Sequence, residues 1–302
     1  MFRRWQQCPG WKTLHFNRIE FPAVRLQKQH TLSSATDSLM TRIQQKFDQL
    51  KRQGKKAFIP YITLGDPSLE ASFQIILELD RAGADVIELG IPFSDPLADG
   101  PVIQRATERA LQRGFTLGSG LRTVAELRKQ TEVPFLLFSY YNPLFAYGLQ
   151  RLAQDAKASG IDGVLITDLS VEEAAGPVRL LRQAALDSVF LAAPTSTDDR
   201  IEKIARFSSG FVYAVSRTGV TGAQKSISDE VRPLVERIRR HSDLPVAVGF
   251  GISEPSQVTE ICRQADGAVV GSALVRCIEE NLTNPRLAEK VGEFTRWLRG
   301  GI

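Results

Sequence analysis

Asp85-Val86-Ile87-Glu88-Leu89-Gly90 runs directly into Ile91-Pro92-Phe93-Ser94-Asp95-Pro96-Leu97-Ala98-Asp99-Gly100-Pro101. The first part is a short apolar strand interrupted near its end by one acid. The second cannot continue it, because Gly90 to Pro101 holds three prolines and two glycines. Proline lacks the N–H that a ladder or helix needs, so these residues form a shaped loop. An acid near the C-terminal end of an apolar strand points toward either a barrel interior or a helix layer. Both places are poor in water, and desolvation moves a carboxyl toward a pKa useful for proton transfer. A structural ion pair would account for Glu88 equally well on position alone.

Working outward, the same kind of apolar run recurs along the chain. Eight are counted: Ala57 to Thr63, Asp85 to Leu89, Pro134 to Ser139, Gly163 to Thr167, Ser188 to Ala192, Gly210 to Val215, Pro245 to Gly249 and Gly267 to Gly271. Segments such as Leu69 to Ala82, Leu149 to Ser159, Ile201 to Phe207 and Val231 to Arg240 lie between them, with apolar residues three and four apart. Strands alternating with amphipathic helices predict repeated βα units and a parallel sheet. The body from Met40 has 263 residues, against ~250 for a typical (β/α)8 barrel. The fold class expected is therefore α/β, a single (β/α)8 TIM barrel with extra helices over 40–302, behind an N-terminal extension over 1–39. A doubly wound sheet is the competing architecture, but no GxGxxG follows the first strand. The long connections Gly90 to Val133 and Ser216 to Leu244 should build the catalytic face.

The chain carries a formal net charge of +4, which raises the question of a nucleic-acid partner. The excess lies wholly in the first 39 residues, with six basic and two acidic side chains; the rest balances 32 against 32. The extension lacks hydrophobic periodicity and is expected to be poorly ordered. It reads either as an organelle transit peptide or as a functionless stretch before a natural start at Met40, the second being favoured because no cleavage pattern is evident. Nucleic-acid binding through this stretch would show as salt-sensitive affinity lost on its deletion. No apolar run approaches the ~20 residues of a membrane span. Three scattered cysteines and three histidines, two of them in the extension, suggest neither a disulfide framework, a zinc site nor histidine catalysis.

Carboxylates remain as the acid–base groups, and barrel sites form where strands end. Asp99 closes the Gly90–Pro101 loop, and a loop folding back over the mouth brings it opposite Glu88. Asp95 and Asp99 are also candidates for capping turns or the helix near Val102. Gly249-Phe250-Gly251-Ile252 and Gly271-Ser272-Ala273 follow the last two runs, where barrels bind phosphate through backbone N–H groups and a helix N-terminus. Arg217-Thr218-Gly219-Val220-Thr221-Gly222-Ala223 has the glycines of a lid or of an ordinary mobile loop. Tyr61, Tyr140, Tyr141, Tyr213 and Phe250 stand near strand ends, some lining a pocket and some belonging to the core.

At these residues the chain resembles the tryptophan synthase α-subunit family. Its most specific elements are Pro60-Tyr61-Ile62-Thr63-Leu64-Gly65-Asp66-Pro67, Glu88 through Pro101, Ser216 through Gly222, and Gly249 through Ile252. The resemblance implies a carbon–carbon lyase that cleaves indole-3-glycerol phosphate to indole and glyceraldehyde 3-phosphate without metal or cofactor in this chain. It implies Glu88 as proton shuttle and Asp99 as stabiliser of the indole N–H. Tyr61, Tyr140, Tyr213, Thr221 and Phe250 would surround the substrate, and Gly222, Gly251, Gly271 and Ser272 would hold its phosphate. Tyr61 stands where many members have phenylalanine, a change that should matter little if the hydroxyl reaches solvent or a partner. An αββα complex with a pyridoxal-phosphate β subunit is implied, the loops at Pro92 to Asp99 and Asn142-Pro143 facing it. The location implied is cytoplasmic, or chloroplast stroma if 1–39 is a transit peptide. A stand-alone lyase releasing indole and a silent phosphate-binding regulatory barrel are the alternatives.

Overall fold

The computed structural model describes residues 40–215, 227–249, 251–300 and 302. The extension 1–39, the expected lid with Thr221 and Gly222, and Phe250 lie outside the described residues. The strands are β1 (Ala57–Thr63), β2 (Ile87–Gly90), β3 (Phe135–Ser139), β4 (Gly163–Ile166), β5 (Asp187–Val189), β6 (Leu191–Ala192), β7 (Val212–Val215), β8 (Val246–Gly249) and β9 (Gly267–Val270). They form one parallel sheet in the order β5-β4-β3-β2-β1-β9-β8-β7-β6. Its two end strands, β5 and β6, are separated only by Phe190, so one run of chain pairs with β4 on one side and β7 on the other. That closes the barrel. The expected fifth run is thus a single barrel strand interrupted at Phe190, whose carbonyl accepts the Tyr213 N–H at 3.1 Å.

Side chains alternate across each strand. Ala57, Ile59, Val86, Leu136, Leu165, Val189, Phe211, Tyr213, Ala247 and Val269 pack together inside the barrel, while their neighbours Phe58, Ile62, Ile87, Leu89, Phe135 and Leu137 pack under the helices. The alternation settles where Glu88 points. It shares a face with Val86 and therefore projects into the barrel.

The N-terminal end of the barrel is stoppered by α1 (Arg42–Arg52), which is opened by a capping box between Thr41 and Gln44. Ile43, Phe47 and Leu50 insert into the interior cluster. Buried aspartates at strand starts hold this end together. Asp85, Asp162 and Asp266 accept the N–H of Phe58, Phe135 and Val246 at 3.0, 2.9 and 3.1 Å, each closing the start of the neighbouring strand. Asp162 also binds Arg42 and Arg128, and Asp187 binds Thr41 and Gln44, tying the stopper to β4 and β5.

The connection Gly90–Val133 contains two helices beyond the loop, α2 having preceded it at Leu69–Arg81: α3 (Pro101–Gln112) and α4 (Leu117–Leu127). Proline occupies the first position of α3, where its missing N–H costs nothing. The remaining helices include α5 (Tyr141–Tyr147), α6 (Leu149–Ser159), α7 (Ala175–Gln183), α8 (Asp198–Phe207), α9 (Ile227–His241), α10 (Pro255–Cys262), α11 (Ser272–Glu280) and α12 (Leu287–Arg299). Among the described residues no helix is long and apolar enough to cross a membrane.

Candidate active site

At the C-terminal ends of the strands lies a cavity of about 160 Å³ whose wall includes Glu88, Asp99, Tyr61, Tyr213, Gly251, Gly271 and Ser272. Seven residues singled out in the sequence therefore meet in one place. A larger cavity, about 430 Å³, opens at the opposite end beside Phe47, Lys51, Lys55 and Asp266. There Asp266 is held by Lys56 and Arg239, so among the described residues this cavity offers no unpaired half-buried carboxyl.

Glu88 comes from the middle of β2, flanked by Tyr61 of β1 and Leu136 of β3 in register. Its side chain is 1% exposed, and neither carboxylate oxygen has a hydrogen-bond partner among the described residues. Burial raises its pKa well above the ordinary glutamate value. Desolvation of this kind favours the protonated carboxyl, a form able to give a proton to an acceptor placed beside it.

Asp99 is partly exposed, and its carboxyl is not spent on capping: the N-cap of α3 is Gly100, without a side-chain cap bond. Burial pushes its pKa up to about 6, against which a hydrogen bond from Tyr140 acts to lower it. Tyr140, 6% exposed at the end of β3, touches the site through Asp99 rather than through the cavity wall. Its hydroxyl also accepts the Ala98 N–H at 2.9 Å, and its ring packs on Phe93 at 5.4 Å. Asp95 remains exposed and bonds Ser94 at 2.5 Å. Tyr141 stacks on the exposed Phe145 at the surface and is not in the wall.

Two glycines make room for the tyrosines. A Cβ on Gly90 would overlap the Tyr61 hydroxyl, and one on Gly249 would overlap the Tyr213 hydroxyl. Each tyrosine thus leans across the neighbouring strand into the cavity. Tyr61 is 7% exposed, so its extra hydroxyl does not reach solvent, one of the two conditions under which it was expected to matter little. Burial raises the pKa of both phenols, and the nearby carboxyls Asp99 and Glu88 add to the effect at Tyr61.

The opposite end of the cavity is built from backbone. Gly251 has a positive φ of 26°, a conformation glycine adopts at little cost. Gly271, at φ −110° and ψ −84°, is the N-cap of α11, so Ser272 is its first helical residue rather than its cap. The N–H groups at a helix start lack intrahelical acceptors and point outward. Gly249, Ile103, Phe138, Ile252 and Val269 complete the wall; the last four were assigned no role from the sequence. For Phe138 a signal existed, since it alternates inward with Leu136 and meets Tyr61 edge-on at 5.3 Å.

A closed (β/α)8 barrel with a buried carboxyl, a second carboxyl on the mouth loop and a backbone-lined far end has the groups that a barrel enzyme uses for proton transfer. The family model for the tryptophan synthase alpha chain matches residues 47–296. A tryptophan synthase alpha chain of Solibacter usitatus is 55% identical over 263 residues, covering 87% of this chain and 98% of the relative. The chain belongs to the tryptophan synthase alpha chain family. Among solved structures, subunit alpha from Legionella pneumophila superposes with a TM-score of 0.81 at 37% identity, over 87% of this chain and 98% of that one. A chain from a study of mutual activation of the tryptophan synthase α2β2 complex of Pyrococcus furiosus superposes at 0.75 and 41%, over 81% and 98%.

Proposed function

We propose that Glu88 and Asp99 carry out the retro-aldol cleavage of indole-3-glycerol phosphate by dividing acid–base work between them. The enzyme is a lyase of the tryptophan synthase alpha chain type. Protonated Glu88 delivers its proton to the ring carbon that bears the glycerol chain, and positive charge develops on the ring nitrogen. Ionised Asp99 stabilises that charge at the N–H. The Glu88 carboxylate then removes the proton of the adjacent glycerol hydroxyl. As that oxygen becomes the aldehyde carbonyl, the carbon–carbon bond breaks and its electrons return to the ring. Indole and glyceraldehyde 3-phosphate leave, and Glu88 ends protonated as it began.

Tyr61, Tyr140, Tyr213, Thr221 and Phe250 are proposed to enclose the indole and glycerol parts. Gly222, Gly251, Gly271 and Ser272 are proposed to bind phosphate through their backbone. The observation that carries the reading is the pairing of a fully buried Glu88, without a hydrogen-bond partner among the described residues, with Asp99 on one small cavity. No group of this scheme calls for a cofactor in this chain. We assign catalysis to 40–302 and leave 1–39 as an extension.

A β subunit is the partner, as the family and the Pyrococcus furiosus complex support. The reading extends this to an αββα tetramer whose β subunit carries pyridoxal phosphate, and to the cytoplasm, in keeping with bacterial relatives. Turnover of indole-3-glycerol phosphate by the purified chain, with and without a β subunit, tests it. Slow cleavage alone and acceleration by the β subunit are expected. Full speed alone, unaffected by a β subunit, would indicate the stand-alone lyase.

A further inference from the structure

The described wall of the catalytic cavity contains two carboxyl groups, Glu88 and Asp99, and no cation. The proposed substrate carries a phosphate of charge close to −2, so ionised Asp99 opposes its entry, and protonated Glu88 does nothing to offset it. Backbone N–H groups supply only partial charges. A full positive charge is found just outside. A second cavity of about 320 Å³ shares Gly251, Ile252 and Ser272 with the first, and its wall carries Arg276.

Arg276 lies on α11 one turn beyond Ser272, on the same side of the helix by its four-residue spacing. Its side chain is exposed. Among the described residues it has neither an ion pair nor a side-chain hydrogen bond, although the molecule pairs many of its other arginines, Arg105, Arg109 and Arg128 among them. The acid of this second cavity, Glu280, lies a further turn away from Ser272. Charge along this face of α11 therefore runs from the positive helix start to a cation and then to an acid, and the positive part faces the catalytic cavity.

We propose that Arg276 is the substrate-steering residue of this enzyme, and that the second cavity is the vestibule through which the phosphate end enters. This rests on the phosphate reading of Gly251, Gly271 and Ser272. Ser272 and Arg276 are about 6 Å apart along the helix axis, well within a Debye length of ~10 Å at 0.1 M salt. The cation thus draws the dianion toward the helix start and offsets the repulsion from Asp99. It takes no part in bond breaking.

The test compares Arg276→Ala, Arg276→Glu and Arg276→Lys with the parent in two measurements. In turnover of indole-3-glycerol phosphate, Arg276→Ala should raise KM roughly five-fold and Arg276→Glu more, with kcat nearly unchanged, from Coulomb energies at this separation in water. The salt dependence of kcat/KM should flatten in Arg276→Ala, invert in Arg276→Glu and persist in Arg276→Lys. In equilibrium binding, glycerol 3-phosphate should weaken in the same order while phosphate-free indole is unaffected. A merely structural role would lower kcat or melting temperature and leave the salt dependence alone. Unchanged salt dependence and glycerol 3-phosphate binding in both charge-altering variants overturn the proposal and leave the lyase reading standing. Parent enzyme that binds glycerol 3-phosphate in this charge-dependent way but cleaves no indole-3-glycerol phosphate overturns the lyase reading and leaves Arg276 its role.

Discussion

The Tyr140 hydroxyl at the end of β3 accepts the Ala98 N–H at 2.9 Å, and through this bond the strand grips the loop one residue before Asp99. The same hydroxyl hydrogen-bonds the Asp99 carboxyl, opposing the upward push of burial on its pKa. One phenol therefore anchors the loop beside Asp99 and moderates the effect of burial on its ionisation.

Tyr140→Phe should separate these effects. In the proposed scheme Asp99, with its pKa near 6, works as the ionised form, so cleavage should fall as pH drops through that value. Removing the hydroxyl removes a group that lowers this pKa, so the acidic limb of the kcat/KM profile should move to higher pH. Activity above the limb should fall as well, because Ala98 loses its acceptor and the loop its anchor. A limb that stays in place would show that Asp99 does not control it.

Glu88→Gln is expected to abolish cleavage while substrate binding persists, and to make the protein more stable. The folded state holds the Glu88 pKa well above the unfolded value. The folded protein thus binds a proton that the unfolded chain releases, and stability declines as pH rises between the two values. Glutamine has no such penalty. The variant's advantage should be absent below pH 4.5 and grow as pH rises toward the raised folded value, because only the carboxyl must ionise in the unfolded chain. Thermal melting at several pH values measures it; a variant less stable than the parent at pH 8 would mean that Glu88 has a stabilising partner. Asp99→Asn should likewise remove cleavage, tested by single turnover.

Much of this was readable from residue order. Eight apolar runs fell within two residues of observed strands because alternating βα units leave a strong hydrophobic signal. The strand carrying Glu88 was read from its apolar neighbours, but the sequence left it pointing either into the barrel or toward the helices; only the position of Val86 inside the barrel decided between them. The break at Phe190 was not readable, since it depends on where a neighbouring strand, β7, meets the chain. The service of α1 as a stopper was also hidden: Ile43, Phe47 and Leu50 give an amphipathic stripe whatever they pack against. Tyr61 illustrates a further limit. Its burial depends on the empty space over Gly90, a relation between two strands that neither strand's sequence displays. Ile103 and Ile252 escaped because an isoleucine in a cavity wall looks like one in a core.

Gly249→Ala should damage the site through Tyr213. The new Cβ would overlap the phenol, so the ring must turn into the 160 Å³ cavity. Overpacking of this kind costs about 1–3 kcal/mol, and loss of cavity space should raise KM by roughly ten-fold, an energy near 1.4 kcal/mol. Combining it with Tyr213→Ala in a double-mutant cycle should recover stability, because the clash is gone. Strictly additive losses would show that the two residues do not compete for space.

The N-terminal end of the barrel, remote from the candidate active site, holds a strained turn. Three helices turn into buried strand-start aspartates in the same way. The Ala84, Ile161 and Leu186 N–H groups bond back to Leu79, Ala156 and Leu181 at 3.0, 2.9 and 3.0 Å. Just before each stands a residue of positive φ: Gly83 at 93°, Gly160 at 92° and Ala185 at 52°. Only the third has a Cβ, and an L-residue there bears about 1–2 kcal/mol of strain. Glycine removes it but loses about 0.4–1 kcal/mol through the freer unfolded chain. Ala185→Gly should therefore stabilise by about 0.5–1 kcal/mol, a rise of roughly 1–3 °C in melting temperature for a domain of this size, with kcat and KM unchanged. The converse, Gly160→Ala, puts a Cβ 2.8 Å from the Arg128 side chain that holds Asp162. It should cost more than about 1 kcal/mol, combining that strain with a disturbed buried ion pair. Should Ala185→Gly lower the melting temperature, the turn at Ala185 would carry no strain, and the likeness among the three turns would be one of hydrogen bonding alone.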